Sequence, residues 1–180
     1  MESPASMTRV SSEVKVGVMR LQGKMRCEVR SKSGELVAER RATNIVLRGG
    51  AILVAKLFSG ASDAAPINTL QIGFGTEQAT AEATALTPPP PPPPSAPPIP
   101  PEALKSPVTP ANFSIVTDKP GLIQVTISSV FHPTVDLNNV SEAGLLGGAQ
   151  LYNQVVFEPV PLRVGQEVTF FWEIDFPFGN

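Results

Sequence analysis

The segment EVTFFWEIDF, residues 167–176, decides the fold class of this chain. Alternate residues of this segment form two sets that differ in polarity. One is apolar and comprises Val168, Phe170, Trp172, Ile174 and Phe176. The other is mostly polar and comprises Glu167, Thr169, Phe171, Glu173 and Asp175. Because successive side chains of a strand point to opposite faces, this alternation predicts an antiparallel strand with one buried face. Trp172 is therefore expected in the core.

Other segments have the same strand-like texture, rich in Val, Ile, Thr and aromatic residues and bounded by Pro, Gly or Asn. They lie at 112–118, 121–131 and 149–157, and a further buried strand at 67–75 leads into a glycine turn. Short alternating runs at 13–20, 24–30 and 35–40 predict an N-terminal strand meander over residues 1–43. Residues 44–180 are predicted to form the main domain.

The segment NIVLRGGAILVAKLFSG, residues 44–60, predicts the one helix. We expect about 10–13 helical residues that end at Gly60, where glycine can adopt the left-handed cap. Strands that bury one face, together with one helix, indicate a mainly β fold. The predicted architecture is an antiparallel β-sandwich with one packed helix and a polyproline II arm.

The arm is predicted from TPPPPPPPSAPPIPP, because 11 of the 20 prolines lie between Pro88 and Pro101. Proline has no N–H and a fixed φ, which excludes helix and central strand. Polyproline II rises ~3.1 Å per residue, so 14 residues would reach roughly 43 Å. The arm is predicted to interrupt the domain over residues 87–110. Its expected partner contacts are Pro88, Pro91, Pro94, Pro98 and Pro101.

Composition limits the classes of function. The 180 residues suffice for one compact domain, and the net charge of -2 gives no sign of a basic nucleic-acid-binding face. Cys27 and His132 are the only residues of their types, which excludes an intrachain disulfide and the usual zinc spacings. The best apolar run, residues 49–55, is too short to cross a membrane. We expect no catalytic residues, metal, cofactor, small-molecule substrate, nucleic acid or membrane partner.

The stretch NNVSEAGLLGG, residues 138–148, could hold a phosphate, a catalytic group or a turn. A phosphate loop needs a lysine after the glycines and a helix beyond, whereas a strand-like run follows here. Catalysis by Glu142 needs a partner, and pairing with the nearby Asp136 or His132 cannot be inferred from the sequence. We therefore predict a structural turn in which Glu142 accepts backbone N–H bonds. Positive φ is expected at Gly144, Gly147 and Gly148, and Leu145 and Leu146 are expected to plug the end of the sandwich.

Taken in order, four motifs resemble small virion proteins of tailed phages and phage-derived contractile particles, of the baseplate, tail-fibre-attachment or collar type. The matching residues are Asn44, Ile45, Val46 and Gly50; Gly73, Gly75, Thr76, Thr84 and Leu86; Glu142, Ala143, Gly144 and Leu145; and Trp172, Ile174 and Phe176. The resemblance covers about residues 44–86 and 125–176. Phe74, the proline-rich segment and the N-terminal meander depart from the family pattern.

The resemblance implies a non-enzymatic structural protein of a phage tail, baseplate or related particle. Its partners would be other virion proteins, with copies forming a homo-oligomer on a symmetric ring. Its location would be the virion, assembled in the bacterial host cytoplasm. The alternatives are a collar or head-decoration protein and a receptor- or glycan-binding module of a tail fibre. The last would need exposed aromatic side chains in a groove, yet the chain has one Trp and one Tyr.

Overall fold

The computed structural model describes residues 22–78 and 80–178. This part of the chain is mainly β with one α-helix, as predicted. Its elements are β1 (Gln22–Arg30), β2 (Leu36–Val46), α1 (Arg48–Ser59), β3 (Ile67–Gly73), β4 (Lys105–Pro107), β5 (Phe113–Lys119), β6 (Leu122–Phe131), β7 (Leu137–Gly147), β8 (Gln150–Leu151), β9 (Asn153–Leu162) and β10 (Glu167–Pro177). Short 3-10 turns lie at Pro101–Leu104 and Pro110–Asn112. The predicted strand at 13–20 lies outside the described residues. No helix in the described ranges has the length and apolarity to span a membrane.

The strands form one antiparallel sheet that curls into a half-barrel. Its order is β4-β3-β7-β9-β2-β1-β10-β6-β5, and β8 also pairs with β7. The predicted sandwich of two separate sheets is not confirmed, because strand pairing continues from β9 to β2. That junction is short, with only Ile45 opposite Gln154 and Val46 opposite Asn153. We call β2, β1, β10, β6 and β5 the β1 half, and β4, β3, β7, β8 and β9 the β7 half.

Strand β10 lies between β1 and β6, at the centre of the β1 half. Trp172 and Phe170 are fully buried, with their ring centroids 5.6 Å apart. The prediction that this face of the strand points into the core is confirmed. Trp172 is opposite Met25 on one side and Ile127 on the other. Both halves contribute to the main hydrophobic core, in which the buried side chains of the β7 half include Leu70, Ile72, Leu137, Leu145 and Leu162. This shared core explains why the sheet curls.

Helix α1 has 12 residues and ends at Gly60, whose φ of 65° confirms the predicted left-handed cap. The Gly60 N–H donates to the carbonyl oxygens at the end of the helix. Gly50 lets the helix approach the β7 half closely, because a Cβ there would lie 2.2 Å from the Tyr152 carbonyl oxygen. Leu53 is buried on the same side, beside Gly147. The helix is thus packed through its glycine-containing face.

The predicted turn at residues 138–148 is wrong, because Leu137–Gly147 forms strand β7. The strand pairs with β3 on one edge and with β9 on the other, so its backbone groups are bonded within the sheet. Of the three glycines expected at positive φ, only Gly148 has it, at 61°. Gly144 is required for a different reason. A Cβ at this position would lie 2.6 Å from the Asn153 carbonyl oxygen.

The predicted proline arm is a loop that folds back rather than one straight rod. The chain reverses where the Ala96 N–H donates to the Pro93 carbonyl oxygen at 2.9 Å. Both ends of the loop are fixed near the end of β3. The Phe74 N–H donates to the Thr87 carbonyl oxygen, and Lys105 lies opposite Gln71. A single extended arm over residues 87–110 is therefore not confirmed, and residues 105–107 belong to the sheet.

Candidate functional site

The carboxylate of Glu142 lies at the middle of β7 and is completely buried. Its Oε2 atom accepts the N–H of Thr87 at 2.7 Å and the N–H of Gly75 at 3.2 Å. Its Oε1 atom accepts the side-chain amide of Gln154. The prediction that Glu142 accepts backbone N–H bonds is confirmed, although its setting is a strand.

Glu142 brings together two distant motifs, GFGT at 73–76 and SEAG at 141–144, through its bond to Gly75, 67 residues away. A Cβ at Gly73 would lie 2.4 Å from Oε2 of Glu142, and one at Gly75 would lie 3.0 Å from the carboxyl carbon. Ser141 adds a bond from its hydroxyl to the Gly75 carbonyl oxygen at 2.7 Å. The glycines therefore allow the chain after β3 to approach a buried carboxylate, whose role here is to hold the start of the proline loop.

The proline loop has the exposed surface expected of a contact segment. Its five predicted contact prolines, Pro88, Pro91, Pro94, Pro98 and Pro101, are all exposed. Beneath the loop lies a cavity of about 1010 Å³, lined by prolines and by Ile72, Phe74, Leu86, Leu104 and Val135. Ile99 packs against the core and fixes the returning part of the loop.

A second surface feature is a groove of about 800 Å³ on the outer face of the β1 half. It runs across all five strands, between two rows of side chains set by the strand register. One wall comprises Thr43, Lys24, Glu173, Thr126 and Ser114. The other comprises Arg41, Arg26, Phe171, Ser128 and Asn112. Between the walls lies the backbone of Ala42, Met25, Phe113, Ile127 and Trp172.

The groove has an ordered set of charges. The Arg26 guanidinium pairs with Glu28 and lies over the Phe171 ring, 4.2 Å from its centroid. Arg41 pairs with Glu39 at 2.6 Å. Lys24 is exposed and has no ion pair within the described residues. Cations therefore gather at the β2–β1 end of the groove, and neutral hydroxyl and amide groups line the β6–β5 end.

Helix α1 provides the third candidate surface. Its outward side presents an exposed stripe at helical spacing, Ala51, Ile52, Ala55 and Phe58. Phe58 is 90% exposed, the highest value among the large apolar side chains of the described residues. Leu57 adds a side chain that is 46% exposed. The stripe is therefore a candidate contact surface.

Sequence reasoning did not find the groove or the helix stripe. The groove depends on the register of five strands, which a sequence does not supply. Its one signal was Phe171, an aromatic residue on the otherwise polar parity of β10. Comparison with protein-family models, with curated proteins and with solved structures gave no match for this chain.

Proposed function

We propose that this chain is a non-enzymatic structural subunit of a phage tail, baseplate or related contractile particle. It acts through contacts with other particle proteins, and its location is the virion, assembled in the bacterial host cytoplasm. The order of the four motifs supports this class. The observation that carries the proposal is the apolar stripe on helix α1, with Phe58 90% exposed. Burying such a side chain at an interface stabilises it by about 1.5–3 kcal/mol.

The partner of the helix is an apolar groove with an acidic rim on a different subunit. Twelve residues give a helix ~18 Å long, and its stripe is smaller than the ~800 Å² per partner that a stable interface needs. A pair of these helices from two copies would therefore be too small, whereas a groove can also cover the flanks of the helix. The helix carries two basic side chains, Arg48 and Lys56, and Lys56 pairs with Asp63 beyond the helix. The exposed Arg48 favours a carboxylate at the rim of the partner.

The proline loop is the second contact with the particle. A proline backbone loses little conformational entropy on binding, so its rings can be buried at low cost. The five exposed prolines named above lie on both limbs of the loop and would pack against the neighbouring subunit. Replacing residues 88–98 with a Gly/Ser run should leave the melting temperature of the free protein almost unchanged. The same change should reduce incorporation into particles.

The test of the helix contact is incorporation of the full chain into particles assembled with the products of its neighbouring genes. Phe58→Ser should reduce incorporation at least severalfold without lowering the melting temperature. Val164→Ser is the matched control, because Val164 is 60% exposed and lies outside the helix. Equal incorporation of both variants would overturn the helix contact. Absence of the wild-type chain from purified particles would overturn the proposed function.

The second candidate function is a receptor- or glycan-binding module of a tail fibre. A specific observation favours it, namely the groove with the half-buried aromatic ring of Phe171 between polar walls. Trp172 and Tyr152 are buried, so neither supplies this surface. The groove and the helix stripe lie on different halves of the sheet. A fibre protein could therefore use the helix for assembly and the groove for its receptor.

A further inference from the structure

The groove on the β1 half has the shape needed for a short linear molecule. It crosses five strands, and with ~4.8 Å between neighbours the outer strands are about 19 Å apart. Its floor is backbone, and its walls are formed by side chains two residues apart on each strand. A ligand lying across the strands would meet both walls along its whole length. This geometry fits a short linear oligosaccharide or an extended peptide.

The charges near the groove narrow the class of ligand that can bind there. Three cations, Lys24, Arg26 and Arg41, line the groove with one carboxylate, Glu173, and the arginines pair with Glu28 and Glu39. These charges balance, three against three, so the groove is not strongly basic, and Lys24 is its cation without an ion pair among the described residues. A nucleic acid carries a charge at every phosphate and is bound by strongly basic grooves with several stacking aromatics. This groove has one aromatic side chain in its walls, Phe171, so it fits a ligand with an isolated acidic group.

The two arginines are also held in position before a ligand arrives. Glu28 and the Phe171 ring hold the Arg26 guanidinium from two sides, and Glu39 holds Arg41. A guanidinium has five N–H donors, so each arginine keeps donors free for a carboxylate. Lys24 approaches the same stretch of backbone from the other wall. A carboxylate above Met25 would therefore lie between an ammonium group and a guanidinium group.

The rest of the groove offers neutral hydrogen-bonding groups at regular spacing. Thr126, Ser114 and Ser128 supply hydroxyl groups beyond Phe171, whereas the Asn112 amide is bonded to Thr109 and Ser128. Such groups match the hydroxyl groups of a sugar better than the mixed side chains of a peptide. We propose that the groove binds a linear oligosaccharide that carries a carboxylate, with the acidic sugar between Lys24 and Arg26. This inference rests on the second of the two proposed functions and specifies its ligand class.

The test measures binding of the full chain to defined tetrasaccharides by titration calorimetry. The probes are uronic-acid tetrasaccharides of several linkages, sialylated tetrasaccharides and neutral tetrasaccharides of the same length. At least one acidic probe should bind, and Arg26→Gln and Lys24→Gln should each weaken it about tenfold, the effect expected for one charge-assisted hydrogen bond. Arg48→Gln is the matched control, an exposed arginine on the helix. The affinity of Arg48→Gln for the acidic probe should equal that of wild type.

Each other result has a distinct meaning. Equal affinity for acidic and neutral probes, unaffected by Arg26→Gln, would overturn the acidic ligand and leave a glycan-binding function. Absence of binding to every tetrasaccharide would overturn both. Binding of a single-stranded oligonucleotide that is lost in Lys24→Gln would assign the groove to nucleic acid and overturn the inference. Melting temperatures of the two groove variants, compared with wild type, would separate lost contacts from lost folding.

Discussion

The two halves of the curled sheet are stabilised by different means. In the β1 half, apolar side chains meet in regular cross-strand rows, such as Met25, Trp172 and Ile127. In the β7 half, the buried carboxylate of Glu142 holds two distant backbone segments, and glycines allow the close approach. Strand pairing joins the halves at only two residue pairs of β2 and β9, although both halves also contribute to the same hydrophobic core. One sheet can therefore combine a half held by regular rows of apolar side chains with a half that also depends on polar contacts between distant segments.

The outer surfaces of the two halves also differ. The β1 half has straight ladders of polar side chains, and these ladders form the walls of the groove. The β7 half carries helix α1, whose Leu53 packs beside Gly147, and the proline loop, whose start is bonded to Glu142. The helix stripe and the proline loop therefore both belong to the half that contains the buried Glu142. Variants can test each half separately.

The largest effect is expected from Trp172→Ala in the β1 half. Trp172 is fully buried between Met25 and Ile127, and removing such a side chain costs about 3–5 kcal/mol. Phe171→Ala is the matched control, since the neighbouring Phe171 is half-buried on the outer face. Chemical denaturation should show a much smaller loss for the control. Similar losses in both variants would mean that Trp172 and Phe171 are assigned to the wrong faces of β10.

The next effect is expected from Glu142→Ala in the β7 half. This change leaves the N–H groups of Thr87 and Gly75 and the amide of Gln154 without their acceptor. The loss in unfolding free energy should be about 2–3 kcal/mol, as for hydrogen bonds to a buried charged group. Denaturant midpoints of the variant and wild type measure it. A loss near zero would show that Glu142 does not stabilise the loop.

Glu142→Gln should be far milder than Glu142→Ala. The amide oxygen can still accept the two backbone N–H groups, but its NH₂ group would face the NH₂ group of Gln154. The Oε1 atom of Gln154 has no hydrogen-bond partner among the described residues, so a flip of the Gln154 amide restores a bond. The double variant Glu142→Gln with Gln154→Leu removes that option. It should be less stable than Glu142→Gln alone in the same denaturation experiment.

The smallest effect concerns the thiol of Cys27, which is buried on β1. Burial raises the pKa of Cys27 from 9.0 to about 12, so the reactive thiolate is scarce at pH 8. The folded protein should therefore be alkylated slowly, at a rate limited by opening of the β1 half. Because the folded pKa is the higher one, this thiol lowers stability as pH rises from 9.0 towards 12. Alkylation of Glu142→Ala as slow as that of wild type would support independent halves, and much faster alkylation would contradict them.

The sequence predicted the parts whose signals are local. The alternation in β10 and the cap at Gly60 need only neighbouring residues, and both are confirmed. Strand β7 was missed because Ser141, Glu142 and Gly144 are poor strand residues by composition. Glu142 is stable in the strand because Thr87, Gly75 and Gln154, which are distant in sequence, donate hydrogen bonds to its carboxylate. The return of the proline loop also depends on distant contacts, at both ends of the loop, with β3.

Amide hydrogen exchange on wild type and Glu142→Ala tests most directly whether the two halves are stabilised separately. Exchange should accelerate in the variant at Gly75 and Thr87, whose N–H groups lose their acceptor, and along the adjoining strands β7 and β9. Protection of β1, β6 and β10 should stay as in wild type, since their apolar rows do not involve Glu142. A uniform increase across both halves would contradict this account and show that the sheet opens as one cooperative unit.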